Sequence, residues 1–135
     1  MKKSLFTVLL LLLASITFSQ KNAYQLSTHI LDISKGAPAA GVSIRLEKQD
    51  EPSGGWTYID QKLTDSNGRI TDFLPMKSTN DGVYKLTFFT ADYFKNSHTE
   101  SFYPFIEVVF SIKGEEHYHV PITLSAYGYS TYRGN

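Results

Sequence analysis

The sequence has 135 residues, with 13 basic and 13 acidic side chains, a formal net charge of zero at pH 7 and no cysteine. The balanced charge gives no indication of a nucleic acid or an anionic membrane surface as partner. The lack of cysteine excludes disulfides and thiolate chemistry. A chain of this length has room for one domain with a substantial core.

Residues 1–19 show the order of segments that is typical of a secretory signal peptide. Lys2 and Lys3 form a short basic start, residues 5–18 are almost wholly apolar, and small residues precede Gln20. An apolar run of this length is short for a membrane span. We therefore expect cleavage near Ser19 and export of a domain comprising residues 20–135, to the periplasm or as a secreted protein, with no membrane association after cleavage.

The rest of the chain consists of short segments in which apolar and polar residues alternate. A period of two is typical of β-strands, and it is clearest in PFIEVVFSI at residues 104–112. In chain order we predict strands at residues 23–33, 42–48, 56–63, 70–74, 83–89, 104–112, 116–124 and 127–133. Residues 90–97 are the one segment that we expect to form a helix, and a short one.

Turn residues separate the predicted strands. Gly36-Ala37-Pro38 and Gly41 close the first strand, and residues 52–55 close the strand at 42–48. Asn67-Gly68 predicts a β-hairpin, because both turn positions tolerate a positive φ. Eight short strands with a turn about every 8 to 12 residues indicate an antiparallel β-sandwich.

Two predicted strands have an outer face that is unusual for a strand exposed to water. In residues 116–124, the face opposite the apolar one carries His117, His119, Pro121 and Thr123. In residues 23–33, one face carries His29, Leu31 and Ile33. Because these faces are part polar and part apolar, we interpret them as covered by another subunit.

Several segments of the chain resemble the 5-hydroxyisourate hydrolases, the enzyme branch of the transthyretin-like proteins. They are THILD at 28–32, GAPAAGVSIRL at 36–46, DSNGR at 65–69, GVYKLTF at 82–88, DYFKNSHTESFYPFIEVVFSI at 92–112 and HYHVPITLSAYGYSTYRGN at 117–135. The branch's most specific mark is a Tyr-Arg-Gly-Ser tetrapeptide, which here reads Tyr132-Arg133-Gly134-Asn135. The resemblance implies an all-β, transthyretin-like antiparallel sandwich of two four-stranded sheets with one short helix.

The resemblance also implies a function: hydrolysis of 5-hydroxyisourate in urate breakdown, by a homotetramer that is a dimer of dimers. Carried over position by position, the catalytic residues are His29, Arg69 and His119. Substrate binding falls on His29, Arg69, Tyr132, Arg133 and Gly134. Histidine transfers protons near neutral pH, and arginine supplies a permanent positive charge for an oxyanion. We expect no cofactor and no metal.

Each of these residues also has a structural explanation. His117 and His119 share a strand face, as two metal ligands would, but two ligands alone indicate a zinc site only weakly. Arg69 after a turn is ordinarily solvated, and Tyr132 on a terminal strand ordinarily packs at an interface. Two alternatives therefore stay open: a transthyretin-like protein that binds a small ligand without chemistry, and a β-sandwich accessory domain with no small-molecule site. The joint presence of all the predicted site residues favours the hydrolase.

Overall fold

The computed structural model of the protein describes residues 22–135, so the predicted signal peptide lies outside the described residues. The described part contains these elements in chain order: β1 (Tyr24–Asp32), β2 (Ala37–Pro38), β3 (Ser43–Gln49), β4 (Trp56–Leu63), β5 (Arg69–Pro75), β6 (Gly82–Phe89), α1 (Ala91–Asn96), β7 (Ile106–Ile112), β8 (Tyr118–His119), β9 (Ile122–Ser125) and β10 (Gly128–Thr131). In this part of the chain no helix has the length and apolar character needed to cross a membrane. The predicted all-β fold with one short helix is confirmed.

One sheet is formed by four antiparallel strands in the order β4-β3-β6-β7. Its inner face consists of every second residue, as the alternation predicts: Ile44, Leu46, Leu86, Phe88 and Ile106 are all almost completely buried. The strands β7 and β4 form the two edges of this sheet.

The other sheet contains six strands that lie in four rows. The central strand β1 pairs with β5 and β2 along one edge and with β8 and β9 along the other, and β10 pairs with β9. Leu26, for example, lies opposite both Phe73 of β5 and Tyr118 of β8. The two predicted four-stranded layers are therefore present, although this layer is built from shorter pieces than predicted.

Three details of the prediction were wrong. The predicted strand at residues 116–124 is two strands, β8 and β9, because Pro121 has no N–H to donate to a ladder. Ala37–Pro38, predicted as part of a turn, pairs with the end of β1 as β2. The sheet is also not purely antiparallel, since β1 runs parallel to β8 and β9. Parallel neighbours need a long connection, and most of the domain lies between them.

The core between the two sheets determines which residues face outward. Leu26, Thr28 and Ile30 of β1 point into the core and are fully buried. Because successive strand residues point to opposite faces, Ser27 and His29 point to the outer face of the same sheet. Tyr118 and Val120 are likewise buried, which turns His119 outward.

The short helix α1 is attached to β1 by a buried carboxylate. Tyr93 of the helix donates its hydroxyl to Asp32 at 2.7 Å, and Asp32 also accepts from the backbone N–H groups of Ser34 and Lys35. Phe94, one residue further along the helix, is buried in the core. The helix therefore closes one end of the sandwich.

Candidate active site

The strand β1 and its neighbours on both sides bring His29, Arg69 and His119 to one outer face. In the ladders, His29 lies directly opposite Arg69 of β5, and Ser27 lies directly opposite His119 of β8. Side chains opposite each other in adjacent strands project to the same side, and in an antiparallel pair such as His29 and Arg69 their Cβ atoms are about 4.5–5.5 Å apart. The three side chains that the sequence predicts as catalytic therefore lie within one small area.

Arg69 is held beside His29 by the turn that precedes it. Gly68 donates its N–H to the carbonyl of Asp65 at 2.9 Å, and the Asp65 carboxylate accepts from the N–H groups of Asn67 at 2.8 Å and Arg69 at 2.9 Å. Gly68 has a φ of +70°, and a Cβ there would lie 2.7 Å from the carbonyl oxygen of Ile30. Glycine is therefore required both by the backbone conformation and by the space.

The predicted β-hairpin at Asn67-Gly68 was wrong. Gly68 has a positive φ, but Asn67 does not, and the strands on either side of the turn belong to different sheets. The turn carries the chain from β4 in one sheet to β5 in the other. As a result, Arg69 begins a strand of the sheet that carries the two histidines.

His119 is fixed by a hydrogen-bonded chain of side chains. Its Nδ1 lies 2.8 Å from the hydroxyl of Ser27, and the same hydroxyl lies 2.9 Å from Nε2 of His117. Nδ1 of His117 in turn lies 3.0 Å from the carbonyl oxygen of Tyr24. The other ring nitrogen of His119, Nε2, takes no part in this series of hydrogen bonds.

Burial and neighbouring charge lower the pKa of both site histidines below 6.5. For His29 the larger cause is burial, followed by the positive charge of Arg69, while Asp65 acts in the opposite direction. For His119 the causes are burial, then Arg69, then the other histidines, against a hydrogen bond with the backbone of Ser27 that raises the pKa. Both imidazoles are therefore neutral at pH 7 and able to accept a proton.

The segment after β10 reaches this site through Gly134. Its N–H donates to the carbonyl of His119 at 2.8 Å, and the two residues form an antiparallel bridge. A Cβ on Gly134 would lie 2.5 Å from Cδ2 of the His119 imidazole. A glycine at this position leaves the imidazole in place, whereas the contact of Gly134 with substrate stays a prediction.

Tyr132 and Arg133 have different surroundings in a single chain. Tyr132 is 59% exposed and, with β7, lines an open cavity of about 360 Å³ at the edges of the two sheets. The Arg133 guanidinium pairs with Glu116 at 2.9 Å and lies 4.7 Å from the centre of the Tyr118 ring. Tyr118 belongs to the core face, so Arg133 points away from the histidines within one chain. Its contact with substrate stays a prediction.

Three residues near the site were not predicted: Ser27, His117 as a partner of His119, and Asp65. A weak signal for the first two was present in the sequence, because each precedes a site histidine by two residues and so shares its strand face. The pattern of His117 and His119 on one face gives no indication that the first positions the second. Among residues 22–135, no group of three or more histidine, aspartate or glutamate side chains is arranged to hold a metal ion.

Comparison with known proteins gives consistent matches. The model of the HIUase/Transthyretin family matches residues 26–134. A probable 5-hydroxyisourate hydrolase of Caenorhabditis elegans is 45% identical and covers 99% of this chain and 98% of its own length. The 5-hydroxyisourate hydrolase of Salmonella typhimurium is 47% identical and covers 82% of this chain and 80% of its own.

Two solved structures resemble the fold. Sea bream transthyretin in complex with thyroxine has a TM-score of 0.77 and 33% identity, and the match covers 82% of this chain and 94% of the other. The 5-hydroxyisourate hydrolase of Klebsiella pneumoniae has a TM-score of 0.68 and 34% identity, and the match covers 84% of this chain and 95% of the other. The fold is thus similar to that of a hydrolase and to that of a protein solved in complex with thyroxine, so the side chains of the site, and not the fold, must indicate the function.

Proposed function

The chain belongs to the HIUase/Transthyretin family, and from this premise we propose that it hydrolyses 5-hydroxyisourate to 2-oxo-4-hydroxy-4-carboxy-5-ureidoimidazoline in urate breakdown. The observation that carries the proposal is the placement of His29, Arg69 and His119 on one outer face of a single sheet. An imidazole that accepts and returns a proton, and a permanent cation beside the developing oxyanion, suit the hydrolysis of a ring amide.

The proposed reaction begins with the removal of a proton from water. A neutral imidazole takes this proton, and the oxygen of the water bonds to the ring carbonyl carbon, whose own oxygen becomes negatively charged. The C–N bond of the ring then breaks, and the imidazolium returns the proton to the leaving nitrogen. The low pKa of both histidines suits the first step, because the imidazoles are unprotonated at neutral pH.

Arg69 is proposed to stabilise the negative charge that develops on the carbonyl oxygen. Its backbone N–H is held by Asp65, so the start of its side chain has a defined position beside His29. The guanidinium is a permanent positive charge and presents several donors in one plane. Because this positive charge also lowers the pKa of both histidines, one residue serves two steps of the reaction.

We further propose that the protein is a homotetramer, a dimer of dimers, and that its active sites lie between dimers. The edge strands β7 and β10 lie on the same side of the sandwich and leave backbone groups unpaired within one chain. Exposed apolar side chains accompany them, among them Val109, Tyr127, Tyr129 and Tyr132. Sedimentation velocity at micromolar concentration should give the mass of four chains, and a monomer would contradict the proposal.

We also propose that the protein is exported, because the residues before Gln20 follow the pattern of a secretory signal peptide. Cleavage near Ser19 would leave residues 20–135 as a periplasmic or secreted domain. Expression of the full chain, followed by fractionation and N-terminal sequencing of the product, tests this. Recovery of uncleaved protein from the cytoplasmic fraction would contradict it.

The test of the function is the loss of ultraviolet absorbance of 5-hydroxyisourate, generated in situ from urate by a urate oxidase. Purified protein of residues 20–135 should accelerate this loss over the spontaneous decay. His119→Ala should lower the rate by about 10² to 10⁴, the usual contribution of a general acid or base. His98→Asn is the matched control, because His98 is exposed with a φ of +52° that asparagine tolerates. An unaccelerated decay would reject the enzyme.

A second candidate function is the binding of a small ligand without chemistry, which the TM-score of 0.77 with thyroxine-bound transthyretin favours. The same assay separates the two. A protein that binds 5-hydroxyisourate or thyroxine with micromolar affinity but leaves the decay rate unchanged would be a binding protein. Acceleration that His119→Ala abolishes would exclude a purely binding role.

A further inference from the structure

The hydrogen-bonded chain behind His119 has a direction that can be read from its atoms. It begins at the carbonyl oxygen of Tyr24, which only accepts hydrogen bonds, so Nδ1 of His117 must carry the proton and donate. In neutral His117 the other nitrogen, Nε2, is then an acceptor. The hydroxyl of Ser27 lies 2.9 Å from it and donates its single proton there.

The hydroxyl of Ser27 has now used its only hydrogen, so it acts as acceptor toward His119. The remaining contact, 2.8 Å to Nδ1 of His119, therefore requires a proton on that nitrogen. Neutral His119 is accordingly the tautomer with Nδ1–H, and the lone pair of Nε2 is unused. Ser27 is 8% exposed and lies on the central strand, so water competes little for its hydroxyl.

We propose that Ser27 and His117 are positioning residues that hold His119 in the Nδ1–H tautomer and thereby make its Nε2 the base of the reaction. This assigns the first proton transfer to His119 and leaves His29 beside Arg69 of β5, the strand that flanks β1 on the edge opposite β8. The catalytic part of the inference rests on the proposed hydrolase function, whereas the tautomer does not.

The arrangement suits a base because it persists through the reaction. When Nε2 takes a proton from water, Nδ1–H still donates to Ser27, so no partner of the ring has to move. Preorganised groups of this kind avoid the cost of reorganisation during the reaction. The opposite tautomer would point an N–H at the attacking water and would have no lone pair to accept its proton.

The tautomer is measured directly by NMR of the ¹⁵N-labelled protein at pH 8, where neutral imidazoles predominate. Long-range couplings to the ring protons should identify His119 as the Nδ1–H form. Ser27→Ala should move it toward the Nε2–H form that free neutral histidine prefers in water. His117→Ala should do the same with Ser27 present, because the hydroxyl is then free to donate to Nδ1.

Kinetics tests the consequence of the tautomer. Ser27→Ala should lower kcat by about 10- to 10²-fold with little change in KM, the range seen when the partner of an oriented histidine is removed from a metal site. Ser27→Thr keeps the hydroxyl and should restore both kcat and the Nδ1–H signal. Ser130→Ala is the matched control, since the hydroxyl of Ser130, on the exposed strand β10, is hydrogen-bonded to the hydroxyl of Thr123 on β9 and not to a site histidine.

Each outcome supports or overturns the inference. An Nε2–H tautomer of His119 in the unsubstituted protein would overturn it, and this measurement needs no variant to fold. Unchanged tautomer and kcat in folded Ser27→Ala and His117→Ala would also overturn it. If the Nδ1–H form is found but the protein does not accelerate hydrolysis, the proposed function fails while the tautomer stands. If hydrolysis occurs with the other tautomer, only this inference fails.

Discussion

Replacing Gly134 with alanine is expected to disable the site while leaving the domain folded. The new Cβ would lie 2.5 Å from Cδ2, 3.2 Å from Cγ and 3.3 Å from Cβ of His119. Carbon atoms in contact are about 3.5–4.0 Å apart, so the imidazole or the strand must move by about 1 Å. A displacement of about 1 Å in a catalytic group costs about 10² in rate, which corresponds to about 2.7 kcal/mol of activation free energy.

The assay is the steady-state kcat for loss of 5-hydroxyisourate, measured beside a thermal melt of each variant. Gly128→Ala is the matched control: it is also a glycine of the same edge, and its Cβ would meet only the Ser125 hydroxyl at 3.8 Å. Gly134→Ala should lose about 10² in kcat with a melting temperature close to that of Gly128→Ala. A wild-type kcat in Gly134→Ala, or an equal loss in both variants, would refute the steric argument.

The remaining predictions concern charge and stability. The activity should fall on the acid side at a pH below 6.5. Arg69→Gln should move this fall toward pH 6.5, because the variant removes one cause of the low histidine pKa values. An unchanged pH dependence would show that Arg69 does not influence the histidines. Both histidine pKa values are lower in the folded than in the unfolded chain. The stabilising effect of the two histidines should therefore be fully present above pH 6.5 and be lost as the pH falls below it, and urea titrations at several pH values measure this as a decrease in the free energy of unfolding. In the same titration, Gly68→Ala should lower the free energy of unfolding more than Gly36→Ala does. Both glycines have a positive φ, which costs alanine about 1–2 kcal/mol, but only at Gly68 would the new Cβ also collide with backbone atoms. Tyr93→Phe should cost about 1.5 kcal/mol through its lost hydrogen bond to a buried carboxylate, and an unchanged urea midpoint would contradict that.

The parts of the fold that the sequence predicted well are those in which burial follows a local pattern. Residues 83–89 and 104–112 alternate over most of their length, and they contain β6 and β7 with the expected faces buried. The same alternation turned His119 to the outer face, opposite Tyr118 and Val120. Local pattern was sufficient for these elements, because a half-buried strand shows its two faces in its own residues.

Features that depend on which strands become neighbours were not predictable in this way. Asn67-Gly68 indicates a tight turn, but nothing in its residues says that the next strand joins the other sheet. The parallel pairing of β1 with β8 depends on how the chain returns after about ninety residues. The bond between Ser27 and His119 follows from that pairing, so the partner of the histidine was missed although the histidine itself was predicted.

The orientation of the Arg133 side chain could not be predicted from the sequence for a different reason. The resemblance places it among the substrate-binding residues, but in one chain the guanidinium pairs with Glu116 and covers the Tyr118 ring. An arginine at the end of an edge strand has several reachable partners, and the residue type alone does not choose between them. The neighbouring Gly134 has fewer alternatives, because a side chain at this position would overlap the His119 imidazole.

The pairing of β1 with β8 and β9 also determines when the site forms during synthesis. Ser27 and His119 are 92 residues apart in the chain, and β1 remains without neighbours on that edge until β8 and β9 have left the ribosome. Contacts between such distant residues must overcome a large loop-closure entropy and are associated with slow folding. A nascent chain that ends before residue 117 therefore exposes the open edge of its central strand, which favours association with other chains. Residues 117–134 therefore complete both the sheet and the site, and a nascent chain without them lacks His119 and its contact with Ser27.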